Sequence, residues 1–201
     1  MKTKKSIYII ISKLFGTLLP GFFGIILNNL VITEFGSDIN GVVATFSQIL
    51  VVVSLAEGGL SLASSVALYK PFLDENHIKV NEILTASKII YKRVAIIVFI
   101  ISLLISITIP FFIKTELDSF TVFTLFIILS LNVTYTFFVL SKYQIMFSVA
   151  QKEYFLHYSS ALIGLLSQIT SIVIILLDGT ILVVKVCAFI IGLINIPVVK
   201  A

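Results

Sequence analysis

Gly41 to Tyr69, GVVATFSQILVVVSLAEGGLSLASSVALY, is the stretch whose reading decides the fold. It is apolar for longer than the roughly 20 residues a helix needs to cross a bilayer core, yet it carries Glu57 near its middle. At about 100° per residue, Ser47, Ser54, Glu57, Ser61 and Ser65 fall on one arc of a helix, and Gly59, Ala63 and Ala67 follow on the roughly opposite side. Small residues four apart let a second helix approach closely in lipid, where packing drives association. The polar arc is therefore expected to face a cavity or a partner.

The stretch leads through Leu68-Tyr69-Lys70-Pro71 into a segment, 70–93, that carries Lys70, Lys79, Lys88, Lys92 and Arg93 among Ile78, Ile83, Leu84 and Ile90. This pattern predicts a basic amphipathic helix at the cytoplasmic surface, with Pro71 setting its start. Composition agrees with a membrane setting: 59% of residues are hydrophobic and 12% charged, against about 45–50% and 25% in soluble domains. The net charge of +4 does not point to nucleic acid, because the bases lie between apolar spans and so describe topology.

Upstream, Ile7 to Ile32 reads as a first span interrupted by Lys13, Gly16, Pro20, Gly21 and Gly24, with a kink expected at the proline. Lys13, Thr17, Pro20, Gly24 and Asn28 share a face that is expected to look into a bundle. Lys13 has two readings there, snorkelling to the near interface or contacting a substrate. Met1-Lys2-Thr3-Lys4-Lys5 before an apolar run imitates a signal peptide, but the run continues to Ile32 without a convincing cleavage site and is read as a retained span.

The remaining pattern predicts an all-α membrane protein of six spans, at about 7–32, 41–69, 94–113, 120–140, 159–177 and 181–199. Outer turns are expected at 33–40, 114–119 and 178–180, and inner segments at 70–93 and 141–158. Inner segments hold nearly all Lys and Arg, whereas Glu34, Asp38, Glu116, Asp118 and Asp178 mark the outer turns, so both termini are expected in the cytoplasm.

No phosphate-binding glycine loop, nucleophile elbow or His-Glu-x-x-His occurs, so neither nucleotide-driven transport nor common hydrolysis is indicated, and no cofactor is expected. The lone Cys187 has no partner for a disulfide or a Cys-x-x-Cys site. His77 and His157, both expected in inner loops, lack companions for a metal. Unpaired and ionised, Glu57 would cost about 3 kcal/mol at mid-membrane, so it reads as a proton-coupling or gating group, or as a structural hydrogen-bonding partner of Ser54 and Ser61.

Three motifs in order, Gly36-Ser37-Asp38-Ile39-Asn40-Gly41, Glu57-Gly58-Gly59 and Leu68-Tyr69-Lys70-Pro71, resemble the amino-terminal part of Wzx-type polysaccharide flippases of the multidrug/oligosaccharidyl-lipid/polysaccharide exporter superfamily. Ala150-Gln151-Lys152-Glu153-Tyr154 is similar to the family's Ala-Asp-Gln-Lys-x-Tyr segment with the acid displaced, and Ser64 and Ser65 stand where a basic residue is common. The resemblance implies one six-helix lobe of a two-lobed MATE-like transporter in a bacterial plasma membrane. It implies a substrate of undecaprenyl-diphosphate-linked oligosaccharide for capsule, exopolysaccharide or O-antigen assembly. The second lobe is expected either from a longer chain, of which this is a truncated half, or from a homodimer.

An anionic diphosphate crossing a low-dielectric layer favours a cation in the central cavity, which motivates Lys185 and Lys13; the alternative for Lys185 is snorkelling to the outer surface. The candidate substrate or coupling residues are thus Lys13, Asn28, Glu57, Ser61 and Lys185. Membrane lipids and the lipid-linked glycan are the expected partners. A multidrug exporter of the same superfamily, a membrane polymerase or glycosyltransferase of the same pathway, and a non-transporting fragment are the competing readings.

Overall fold

The computed structural model describes residues 2–195, with side chains for 7–55, 59–139 and 143–195. Helix α1 (Lys2–Leu73) is followed by α2 (His77–Thr108), a short 3₁₀ turn (Ile109–Phe111) and α3 (Ser119–Tyr135). A π-helical turn (Thr136–Leu140) joins α3 to α4 (Ser141–Val149), and α5 (Glu153–Leu176) and α6 (Ile181–Leu193) complete the described chain.

Among the described residues there are four helices long and apolar enough to cross a membrane, at Ile7–Leu73, His77–Phe111, Ser119–Val139 and Glu153–Leu176, and Ile181–Leu193 is a shorter apolar one. Their outer surfaces are apolar: Leu18, Phe22 and Ile25 on α1, Ile97 and Leu104 on α2, and Leu162, Leu166 and Leu176 on α5 are all exposed. A contiguous apolar exterior of this kind suits lipid rather than water.

A straight α1 of 72 residues would extend about 100 Å, far beyond a hydrocarbon core of about 30 Å. Gly36 resolves this with φ 87° and ψ 163°, angles open to glycine and costly for other residues, and divides α1 into two arms. The expected loop at 33–40 is therefore a single-residue break, with helical angles on both sides of Gly36. Pro20 does not interrupt the first arm; Gly36 alone departs from helical angles within α1.

Pro71 likewise lies inside the last turn of α1 instead of starting the next helix. A proline forfeits one backbone bond but leaves the following residues free to donate, and Asp74 N–H donates to Lys70 O at 3.0 Å. Glu75 at φ 53° turns the chain, and the Asn76 side chain accepts from Lys79 N–H at 3.1 Å to cap α2. The expected amphipathic segment and third span form one continuous helix from His77 to Thr108. Its buried stripe includes Ser87, Ala95, Ser102 and Ser106, small residues that allow close packing, and Ser87 Oγ donates to Ser64 Oγ of α1 at 3.1 Å.

The segment 141–158, expected as an inner loop, is mostly helical: the π turn carries α3 into α4, and only 150–152, with Gln151 at φ 53°, lies between α4 and α5. His157 accordingly sits on α5 and His77 opens α2. The hairpin between α5 and α6 turns at Asp178 (φ 59°), and a Cβ on Gly179 would lie 2.8 Å from Ile174 O, a contact only glycine avoids. The last part of the expected 181–199 span, 196–199, lies outside the described residues.

Two apolar clusters hold the two ends of the bundle. One gathers Val31, Val42, Phe46, Leu50, Ile109, Val122, Leu125, Phe126, Ile175, Ile181 and Val184, with Phe46 and Phe126 edge to face at 5.0 Å. The other gathers Leu68, Val80, Tyr91, Ala95, Val98, Phe137, Ile145 and Val149. At the first end Asp38 ties the break in α1 to the 112–118 turn by accepting from Thr115 Oγ1 and from Glu116 N–H at 2.9 Å. These bonds stabilise the carboxylate form and lower the Asp38 pKa below its ordinary value. The turns at 74–76 and 150–152 lie at the other end, where Lys70, Lys79, Lys88 and Lys152 are found.

Candidate functional site

The first arm of α1 packs most extensively against α5, and the two run parallel. Gly16 faces His157 and Ala161, Pro20 faces Gly164, and Gly24 faces Gln168. A Cβ on Gly16 would stand 3.3 Å from the His157 carbonyl oxygen, so the glycine sets the approach of the two backbones. Gln168 Nε2 donates to Pro20 O at 3.0 Å and fixes the register. Glycine and proline in this arm, read in the sequence as a source of bending, serve in the fold as a flat packing face.

Towards the amino-terminal end the same two helices part, and a cavity of about 360 Å³ opens between α1, α4 and α5. Ile9, Lys13, Ser61, Gln144, Ser148, Glu153, Leu156, His157 and Ser160 line it. An adjoining space of about 310 Å³ continues along the α1–α5 seam past Lys13, Thr17, Pro20, His157 and Ser160. Lys13, His157 and Ser160 belong to both, so they stand where the two spaces meet.

Each side chain arrives by simple helical geometry. Glu153, His157, Ser160 and Gly164 recur at i, i+4, i+7 and i+11 and so share one face of α5. Gln144 and Ser148, four apart, present one face of α4, and Lys13 and Ser61 come from the two arms of α1. The chamber thus combines an ammonium, a carboxylate, an imidazole, a carboxamide and three hydroxyls in a bundle whose exterior is apolar. Such a set can hold water and solvate an anionic headgroup through Lys13.

Of the residues singled out from the sequence, Lys13 and Ser61 meet in this cavity. Asn28 is exposed on the first arm, Lys185 is half-buried on α6, and neither lines the chamber. The Glu57 side chain lies outside the described residues; its backbone is helical and one turn before Ser61. Ser47 and Ser54 of the same arc return their hydroxyls to their own helix, on Val43 O and Val51 O, each at 2.8 Å.

Gln144, Ser148, Glu153, His157 and Ser160 are the site residues that sequence reasoning missed. For the first four the signal was the four-residue spacing on α4 and α5, hidden once 141–158 is read as a loop; Ser160 lies in the expected fifth span, one turn beyond His157. Among the described residues no three of His, Cys, Asp and Glu stand together as a metal site. Comparison of the chain with family models, with curated proteins and with solved structures finds no match.

Proposed function

We propose that this chain is one six-span lobe of a two-lobed exporter that moves a polyprenyl-diphosphate-linked oligosaccharide across a bacterial cytoplasmic membrane by alternating access. The observation that carries the reading is the convergence of Lys13, Ser61 and His157, from both arms of α1 and from α5, on one polar, open cavity of a bundle whose exterior is otherwise apolar, with Lys13 exposed at its mouth. A charged side chain on a membrane-spanning helix is expensive and is retained where it meets water, a counter-charge or a passing ion.

In this reading the two arms of α1, then α2, α3, α5 and α6, make the six spans, and the basic end carrying Lys70, Lys79 and Lys152 faces the cytoplasm. The chamber then opens where a lipid-linked glycan is made, and Lys13 offsets the diphosphate charge as it leaves the headgroup layer. A second lobe, from a longer chain or a second copy, closes the far side of the path. The role is transport of an intact molecule, so no covalent chemistry is asked of the cavity.

The test is flipping in liposomes containing the protein and a fluorescent polyprenyl-diphosphate oligosaccharide, read by an impermeant quencher added outside. The expected result is quenching of nearly all the label, against about half in protein-free vesicles, where only the outer leaflet is reached. Equal quenching in both preparations overturns the proposal, and efflux of a cationic dye without glycolipid flipping assigns the protein to multidrug export.

A further inference from the structure

A separate groove lies between α2 and α4, on surface the transport chamber does not use. It encloses about 270 Å³ and is lined by Asn81, Thr85, Lys88 and Tyr143 with Leu84 and Met146. Asn81, Thr85 and Lys88 recur at i, i+4 and i+7, so an amide, a hydroxyl and an ammonium project from one stripe of α2, and Lys92 continues that stripe one turn further. Asn81, Thr85, Lys88 and Lys92 are all exposed. Alongside, a shallow apolar trough bounded by Ile78, Ala86 and Ile89 shares Asn81 and Thr85 with the groove, and Glu82 stands on its rim.

Polar donors therefore meet an apolar flank where the basic end of α2 enters the membrane-spanning bundle. In the orientation proposed above, on which this inference rests, that is the depth at which lipid phosphates sit, and basic residues there attract anionic lipids. Free phosphate satisfies the donors but leaves the trough and the floor of Leu84 and Met146 unused; a lipid satisfies both. We infer that the α2–α4 groove is a binding site for the phosphate headgroup of an anionic phospholipid, with Lys88 holding the charge and the Ile78–Ile89 trough receiving the upper acyl chain.

The experiment is native mass spectrometry of the full chain equilibrated with equimolar phosphatidylglycerol and phosphatidylcholine. Lys88→Ala should lower the ratio of bound phosphatidylglycerol to phosphatidylcholine about fivefold, the weight of one lysine near an anionic surface. Lys88→Arg should retain the ratio, and Lys114→Ala, at the opposite end, should leave it unchanged. An unaltered ratio in Lys88→Ala overturns the assignment. So does an equal fall in Lys152→Ala, which would mean diffuse attraction, or full displacement of the lipid by millimolar inorganic phosphate.

A second readout does not remove Lys88. The chain has no tryptophan, so Thr85→Trp supplies a single reporter in the groove. Brominated phosphatidylglycerol should quench it more strongly than brominated phosphatidylcholine at the same mole fraction. Equal quenching overturns the site.

Discussion

Phe126→Ala should lower the unfolding free energy of the bundle by about 3 kcal/mol, the lower range for emptying a buried phenylalanine site. Phe126 and Phe46 are both fully buried, with rings crossed at 84° and centroids 5.0 Å apart, and Val122 and Leu125 close the same cluster. In lipid the loss is of packing contacts rather than of transfer from water, because a side chain leaving this core enters hydrocarbon. Phe120→Ala is the control: Phe120 is 73% exposed on the same helix and should change stability by well under about 1 kcal/mol. Chemical unfolding in mild detergent measures both, and equal effects would mean that α3 does not pack in this register.

Under the proposed function, Lys13→Glu should reduce flipping of a diphosphate-linked substrate at least about tenfold, equivalent to about 1.4 kcal/mol on the transport barrier. The substitution replaces attraction for the diphosphate by repulsion in a chamber that already holds Glu153. Lys13→Arg should keep most of the rate, because the charge persists. Lys185→Ala should have a much smaller effect, since Lys185 does not line the chamber. Initial rates in the liposome assay, at matched protein incorporation, read all three. Flipping by Lys13→Glu at the unmodified rate would remove the cationic chamber from the mechanism.

The all-α character and the apolar helices were legible in the residues, because long apolar runs punctuated by short charged segments leave the backbone few other ways to satisfy itself in lipid. The breaks were less so. Pro71 and the 33–40 segment carry turn-like residues, but the helix runs through Pro71 to Leu73 before it stops, and the second arm resumes directly after Gly36. The burial of Phe126 was equally hidden. A helix apolar on every side gives no periodic sign of which face meets a neighbour.

Two of the seven polar residues of the candidate site were visible for a physical reason: Lys13 and Ser61 are polar groups on apolar helices, and a polar group there stands out. Glu153, His157 and Ser160 sit in a run rich in polar residues, where a loop and a helix start look alike without the α4–α5 turn in view.

Water should reach the chamber wall on α5 while the outer face of that helix, with Leu162, Leu166 and Leu176, meets lipid. In a Cys187→Ala background, Ser160→Cys and Leu162→Cys place single thiols two residues apart, one on the cavity side and one on the apolar exterior. A membrane-impermeant thiol reagent, whose reaction needs a hydrated thiolate, should label Ser160→Cys readily from the basic side and leave Leu162→Cys unmodified. Equal labelling of the two positions, or reaction at Leu162→Cys alone, would contradict a water-filled chamber at this seam.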